Sequence, residues 1–252
     1  MNMAAPPFDD LTDIYEAMID WPKRLANEEP FYRRQFARVG ARRVLDAACG
    51  TGRHAAMFHE WGLTVEGADV SPAMIARAQA GFGHSDQRRW VVRGYDEPVD
   101  TAEPFDVAVC VGNSLSLAAD EATIERAIGR MFAAVRAGGL VIVHVLNLWH
   151  LPDGPCQWQK CRRAVLPAGD VLIIKGVHRS GPRGYVDLLV ADPSAGTMLQ
   201  TECVSFLGLE STDLDRMARR AGAARVTFFG GYQDQPYDRD QSVDLVMVAE
   251  KS

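Results

Sequence analysis

Val44-Leu45-Asp46-Ala47-Ala48-Cys49-Gly50-Thr51-Gly52-Arg53-His54, followed by Thr64-Val65-Glu66-Gly67-Ala68-Asp69, decides the fold. Val44 and Leu45 outline a short buried strand. The run breaks into Gly50-Thr51-Gly52, a turn where bare backbone can come close to a ligand. A helical pattern covers His54 to Trp61, Gly62 stops it, and a second strand runs from Thr64 to Asp69. A strand, glycine turn, helix and strand ending in an acid make a nucleoside-binding unit. Amide N–H groups at the turn and helix start face the ligand, and the acid accepts ribose hydroxyls.

Outward from this unit the chain alternates strand and helix. Residues 9–40 are expected to be helical, with Leu11, Ile14, Tyr15, Met18 and Ile19 at helical spacing and Pro22 and Pro30 as punctuation. Further strands are expected at 43–47, 90–93, 105–111 and 139–146. The clearest helix spans Asp120 to Val135, stopped near Gly138-Gly139. Alternation of this kind builds a doubly wound, mostly parallel sheet. From about 155 to 208 the rhythm changes. Val171–His178, Tyr185–Ala191 and Met198–Leu207 are β-rich runs joined by turn sequences, an antiparallel layer inserted into the main fold. A helix at 212–221 and strands at 225–229 and 243–249 return to the first pattern. The expected organisation is an N-terminal helical lid (1–40), an α/β core (41–154 and 209–252) and an antiparallel β insertion that caps the acceptor site (155–208).

Composition narrows the partners. The net charge of -6 argues against nucleic acid, whose phosphates need a basic face. No apolar run reaches the roughly 18 residues of a membrane span. Residues 1–10 lack a basic region followed by an apolar core, so no secretory signal is expected. The five cysteines are odd in number, scattered and without a CxxC pair. They read as reduced thiols of a cytoplasmic protein, with no metal site expected.

Four motifs in order resemble the class I S-adenosylmethionine-dependent methyltransferases. They are Val44 to Gly52; Gly67-Ala68-Asp69-Val70-Ser71-Pro72-Ala73-Met74; Phe105-Asp106-Val107-Ala108-Val109-Cys110-Val111-Gly112-Asn113-Ser114-Leu115; and Arg136-Ala137-Gly138-Gly139-Leu140. Together they span about residues 10–150. Within the class, Tyr15, Trp21 and Arg24, the Gly112-Asn113-Ser114 ending and the inserted antiparallel layer resemble glycine/sarcosine N-methyltransferases and sugar N-methyltransferases. The resemblance implies a Rossmann-like methyltransferase core, S-adenosyl-L-methionine as cofactor, and methyl transfer to a small-molecule acceptor, with an amine expected and oxygen or sulfur as alternatives. Gly50-Thr51-Gly52-Arg53-His54-Ala55 also fits the looser dinucleotide pattern G-x-G-x-x-G/A. An NAD(P)-dependent oxidoreductase therefore stands as a rival, as does a non-catalytic adenosylmethionine-binding protein.

The resemblance assigns cofactor contacts to Tyr15, Trp21, Arg24, Asp46, Ala48, Gly50, Gly52, Asp69, Val70, Met74, Tyr95, Asp96 and Val111. Gly50 and Gly52 let backbone lie against the cofactor. Asp69 would take the ribose hydroxyls; Ser71 is the better cap for the next helix, which leaves Asp69 free. Gly94-Tyr95-Asp96 carries one residue more than the family's common Gly-Asp, so either Tyr95 or Asp96 meets adenine. Arg24 would pair with the cofactor carboxylate or stay a solvated helix charge. Tyr15 and Trp21 would close the lid or join the core.

Displacement at a sulfonium needs alignment, a deprotonated nucleophile and little water. Asn113, where the fourth strand ends in the crevice, is the candidate for orienting the reactants. His144 could take a proton, or be a satisfied core histidine. For the acceptor, Asn113, Asn147, Trp149, Trp158, Lys160, Arg162, Tyr232 and Tyr237 are the candidate contacts. The alternative for Lys160, Arg162 and Arg163 is a solvated strand edge. Glycine N-methyltransferases look to carry an arginine before the asparagine after the fifth strand; Leu146 stands there here, which weakens glycine as the substrate. A homo-oligomer is compatible with all of this.

Overall fold

The protein is described by a computed structural model over residues 12–167 and 169–252. Leu11 and residues 1–10 lie outside the described residues. Five parallel strands come first: β1 (Arg43–Asp46), β2 (Thr64–Asp69), β3 (Arg88–Val92), β4 (Phe105–Cys110) and β5 (Val135–Leu146). Helices α3 (Arg53–Glu60), α4 (Pro72–Phe82) and α5 (Glu121–Ala134) connect them. With β10 (Ala223–Phe229) and β11 (Asp244–Lys251) they form a seven-stranded sheet of order β10-β11-β5-β4-β1-β2-β3. β11 runs antiparallel to both β5 and β10.

The strand order reverses at β1, which pairs with β2 on one edge and β4 on the other. Along β4, Ala108 and Cys110 pack with α5 on one face, while Val107 and Val109 pack with α3 on the other. The helices leaving β1 and β4 thus cover opposite faces, and a crevice opens at the strands' C-terminal ends.

After β5 the chain builds a second sheet from β6 (Gln157–Leu166), β7 (Gly169–Ser180), β8 (Arg183–Asp192) and β9 (Thr197–Leu207), neighbours paired antiparallel in chain order. Helix α6 (Ser211–Arg220) then returns to the first sheet. One face of the second sheet, with Val171, Ile173, Leu188 and Val190, receives Ile14, Ala17 and Met18 of helix α1 (Thr12–Met18). Leu148, Val177 and Phe206 pack together with Leu146 and fasten this sheet to the rim of the first.

Three details depart from the sequence-based expectation. Pro30 does not punctuate: α2 (Trp21–Arg38) runs through it. The lost i→i−4 bond is outweighed by burying Phe31, Tyr32 and Phe36, each contributing about 1.5–3 kcal/mol. Pro22 lies at the helix start, where a missing N–H costs nothing. Gly138 and Gly139 do not stop α5; they form an irregularity inside β5, where a Cβ on Gly139 would meet the Asp106 carbonyl at 2.5 Å. The insertion has four strands, not three. The extra one, β6, is an exposed, polar edge strand with little apolar alternation to reveal it.

Candidate active site

A cavity of about 280 Å³ lies in the crevice, floored by the β1–α3 loop and the end of β2. Gly50, with φ +53°, forms the turn of the floor; Tyr15 of α1 lies over it, 3.8 Å from where a Cβ would sit. Asp69 closes the end of β2. Its Oδ2 accepts the Gly50 amide at 2.8 Å and its Oδ1 the Ser71 amide at 3.0 Å. Ser71 does cap α4 through Met74, as expected, but Asp69 is not left free. An ionised carboxylate offers about four acceptor sites, and these amides take two.

Of the expected cofactor contacts, Tyr15, Trp21, Arg24, Ala48, Gly50, Asp69, Val70, Met74, Tyr95, Asp96 and Val111 all line this cavity. Asp46 and Gly52 do not. Gly52 has φ +83°, and a Cβ there would stand 2.6 Å from the Trp90 ring and 2.9 Å from Ala78. Its missing side chain makes room for Trp90, not for a ligand. Asp46 is buried behind the floor, its carboxylate oxygens without a well-formed hydrogen bond and the Ala48 amide only partly offsetting the burial. Burial and the Asp69 charge push its carboxyl up to about 7. Asp96 is shared with Arg126 at 3.0 Å.

Behind the opposite wall lies a buried array that the sequence did not announce. Glu28 of α2 takes Arg24 Nε at 2.8 Å and His54 Nε2 at 2.7 Å. Burial alone would raise the Glu28 carboxyl, but the His54 hydrogen bond and the nearby positive charges hold it down near 2. Burial lowers the His54 imidazole despite Glu28. The array aims the Arg24 guanidinium beside Gly112. Only i, i+4 spacing links Arg24 to Glu28 in sequence; His54 needed the fold. Helix α1 is latched to the same loop, since Glu16 accepts from both Thr51 Oγ1 and the Arg53 guanidinium.

A methyltransferase domain model matches residues 44–139. Along 96% of its length the chain is 28% identical to a glycine/sarcosine N-methyltransferase of Parasynechococcus marenigrum (strain WH8102), covering 83% of that protein. The fold also matches the sugar N-methyltransferase KedS8 of Streptoalloteichus sp. ATCC 53650, with a TM-score of 0.74, 22% identity and 100% and 95% of the two chains covered. The adenosylmethionine-bound amino pentose methyltransferase CalS10 of Micromonospora echinaspora gives a TM-score of 0.71, 21% identity and 100% and 99% coverage. The chain is an S-adenosylmethionine-dependent methyltransferase. The dinucleotide alternative is set aside.

This methyltransferase uses several expected acceptor contacts for other purposes. Asn113, at φ 72°, turns its Oδ1 onto the Leu146 amide at 2.9 Å and ties the end of β4 to β5. His144 Nδ1 accepts the Gly112 amide at 3.1 Å, so that nitrogen carries no proton; Nε2 faces Asp244 Oδ1 at 3.1 Å. Both nitrogens are committed, and the ring is buried against Tyr232. Asn147 Nδ2 donates to the carbonyls of Arg239 and Ser242, and its Oδ1 takes the Trp149 amide and the Tyr237 hydroxyl. Asn147 and Tyr237 thus clamp a loop. Tyr232 is core, packed on Phe31 and Tyr32. The Trp149 ring lies under Arg239 at 4.5 Å. Trp158 pairs with Gly176, opposite in parity to Val177, so it lies on the sheet's outer face.

Lys160 and Arg162 lie on the inner face but are exposed, as the edge alternative had it. Sequence reading missed Lys175. It shares the inner face of β7 with Ile173 and Val177, directly across from Lys160. Burial, with Lys160 and Arg24 nearby, lowers its ammonium to about 8. Among the described residues it has no salt-bridge partner at 4.0 Å or less. A lysine between hydrophobic positions is the one signal that sequence held.

Proposed function

We propose that this enzyme methylates the amine of a small acceptor held between the crevice and the inner face of the second sheet. Residues 12–38 act as the lid, and the 155–208 insertion acts as the acceptor cap. The observation that carries this is the roof itself: α1 packs on the second sheet through Ile14 and on the glycine loop through Glu16. A macromolecular acceptor would need that side open.

The residues fit adenosylmethionine. In the cavity wall, the Trp21 indole N–H is a buried polar group without a hydrogen-bond partner, as expected of a wall that awaits a polar ligand. Arg24 would hold the carboxylate, Asp69 the ribose hydroxyls, and Tyr95 with Val70 and Met74 the adenine. When bound, the cofactor supplies a methyl group activated on a positive sulfur. Asp69, at the edge of the cavity, sets a negative potential that favours that charge. Tyr15 and Trp21 exclude water. The half-buried Lys175, with no salt-bridge partner among the described residues, favours an acceptor that also carries an anionic group, since a partly desolvated charge is costly until paired.

The test is an activity screen of the purified enzyme with small amines, amino acids, amino sugars, phenols, thiols, bulk protein and RNA. A single-methyl mass shift on amines, strongest for those with a carboxylate, is expected. Methylation confined to protein or RNA overturns the enclosed site; methylation of a phenol or thiol overturns the choice of nitrogen.

A further inference from the structure

The outer face of the second sheet, turned away from the cavity, carries a cluster with no part in methyl transfer. Alternation along β7 sends Val171, Ile173 and Val177 inward, so Gly176 and His178 face outward. Register pairs Gly176 with Asp187, and Asp187 with Cys203, on the same outward face. Cys156, just before β6, continues the row next to His178. Its Sγ fills the space over Gly176, where a Cβ would lie 2.2 Å from the sulfur.

Ligand atoms of Cys156, His178 and Asp187 all lie within 4.8 Å of one another. Cys203 stands directly across from Asp187 in the β8–β9 register, one strand beyond these three. His178 Nδ1 is buried and 2.9 Å from Asp187 Oδ2, yet it lacks the alignment of a hydrogen bond. Two ligands of one tetrahedral zinc sit about 3.3 Å apart in a similar way, each aimed at the ion and not at the other. The His178 ring is held by stacking on Tyr185, centroids 4.8 Å apart and planes at 12°.

We propose that Cys156, His178, Asp187 and Cys203 bind a zinc ion on the back of the second sheet. Two thiolates, an imidazole and a carboxylate are a donor set that suits zinc among common divalent ions. Binding releases one proton from each thiol to solvent; no oxidation is involved. The ion ties the segment entering β6 to β7, β8 and β9. The set escapes sequence motifs because its members are joined by strand register, not by CxxC spacing.

The test uses the full chain, reduced with a phosphine and stripped by chelator, titrated with Co²⁺. The expected result is one equivalent bound, tetrahedral visible bands, and near-ultraviolet thiolate-to-cobalt absorption that zinc abolishes. Cys156→Ser and Cys203→Ser should each remove roughly half of that absorption, as for a site with two thiolates. Cys161→Ser, on an exposed cysteine outside the cluster, should leave it unchanged. Zinc should also raise the Tm of the wild-type chain. No thiolate-to-cobalt absorption at stoichiometric metal overturns the proposal, and so does absorption that survives in the Cys156→Ser/Cys203→Ser double variant. The wild-type titration decides even if the variants fail to fold.

Discussion

The backbone amide of Gly50 donates to Asp69 Oδ2 across 2.8 Å, so the acid at the end of β2 also holds the turn that follows β1. One carboxylate sets the shape of the floor and, in the proposed site, would also take the ligand's ribose. Asp69→Ala should therefore weaken adenosylmethionine by at least about 1.5–3 kcal/mol, the range for a hydrogen bond to a charged group. Isothermal titration of the folded variant checks this; an unchanged Kd would remove Asp69 from the site.

Gly52 answers to packing. Gly52→Val would drive a side chain into Trp90 at a backbone conformation with φ +83°. The expected outcome is destabilisation of about 2–5 kcal/mol, combining strain and overpacking. Denaturant unfolding measures it. Wild-type stability with cofactor binding lost would instead put Gly52 in direct contact with the cofactor.

Asp46 should mark the pH dependence of the ligand-free protein. Its carboxyl rises from 3.8 to about 7 on folding, so between those values the native state holds the proton more tightly. Stability from this group is present below about pH 4 and is lost as pH rises through 7, by up to about 1.4 kcal/mol per pH unit. Asp46→Asn should flatten that decline. Denaturant midpoints for both proteins across pH 4–8 provide the check; parallel curves would contradict it.

Lys175 gives the opposite sign. Its ammonium falls from 10.5 to about 8 on folding, so its penalty is present below pH 8 and fades as pH rises from 8 to 10.5. Lys175→Met should raise Tm at pH 7. On an acceptor with a carboxylate it should raise KM roughly ten- to hundredfold, the loss of one charged hydrogen bond, while cofactor Kd stays constant. Steady-state kinetics against acceptors with and without the anionic group would expose a purely structural lysine, which would leave KM unmoved.

Asn113 separates clamp from contact. Asn113→Ala loses the bond to the Leu146 amide and strains a backbone at φ 72°, costing about 1–3 kcal/mol. Asn113→Gly loses the bond but fits the backbone, so it should be the more stable of the two. Equal stabilities with equal loss of turnover would instead assign Asn113 to the acceptor.

The sequence by itself determined the sheet, its crevice and most of the residues that line the cavity. Those features depend on local spacing: a strand, a glycine turn, a helix start and an acid at the next strand's end follow one another within 26 residues, from Val44 to Asp69. Apolar alternation likewise exposed β7, β8 and β9, but not β6, whose edge position removes the pattern. Tertiary structure alone decided which polar groups remain for ligands. Asn113, His144, Asn147 and Tyr237 have the chemistry of contacts, yet each spends its hydrogen bonds at the ends of β4, β5 and β11 or on the loop before β11. Lys175, Glu28 and His54 gain their significance from partners or burial brought by distant elements. A residue type states which bonds a side chain can make; only packing states which of them are already made.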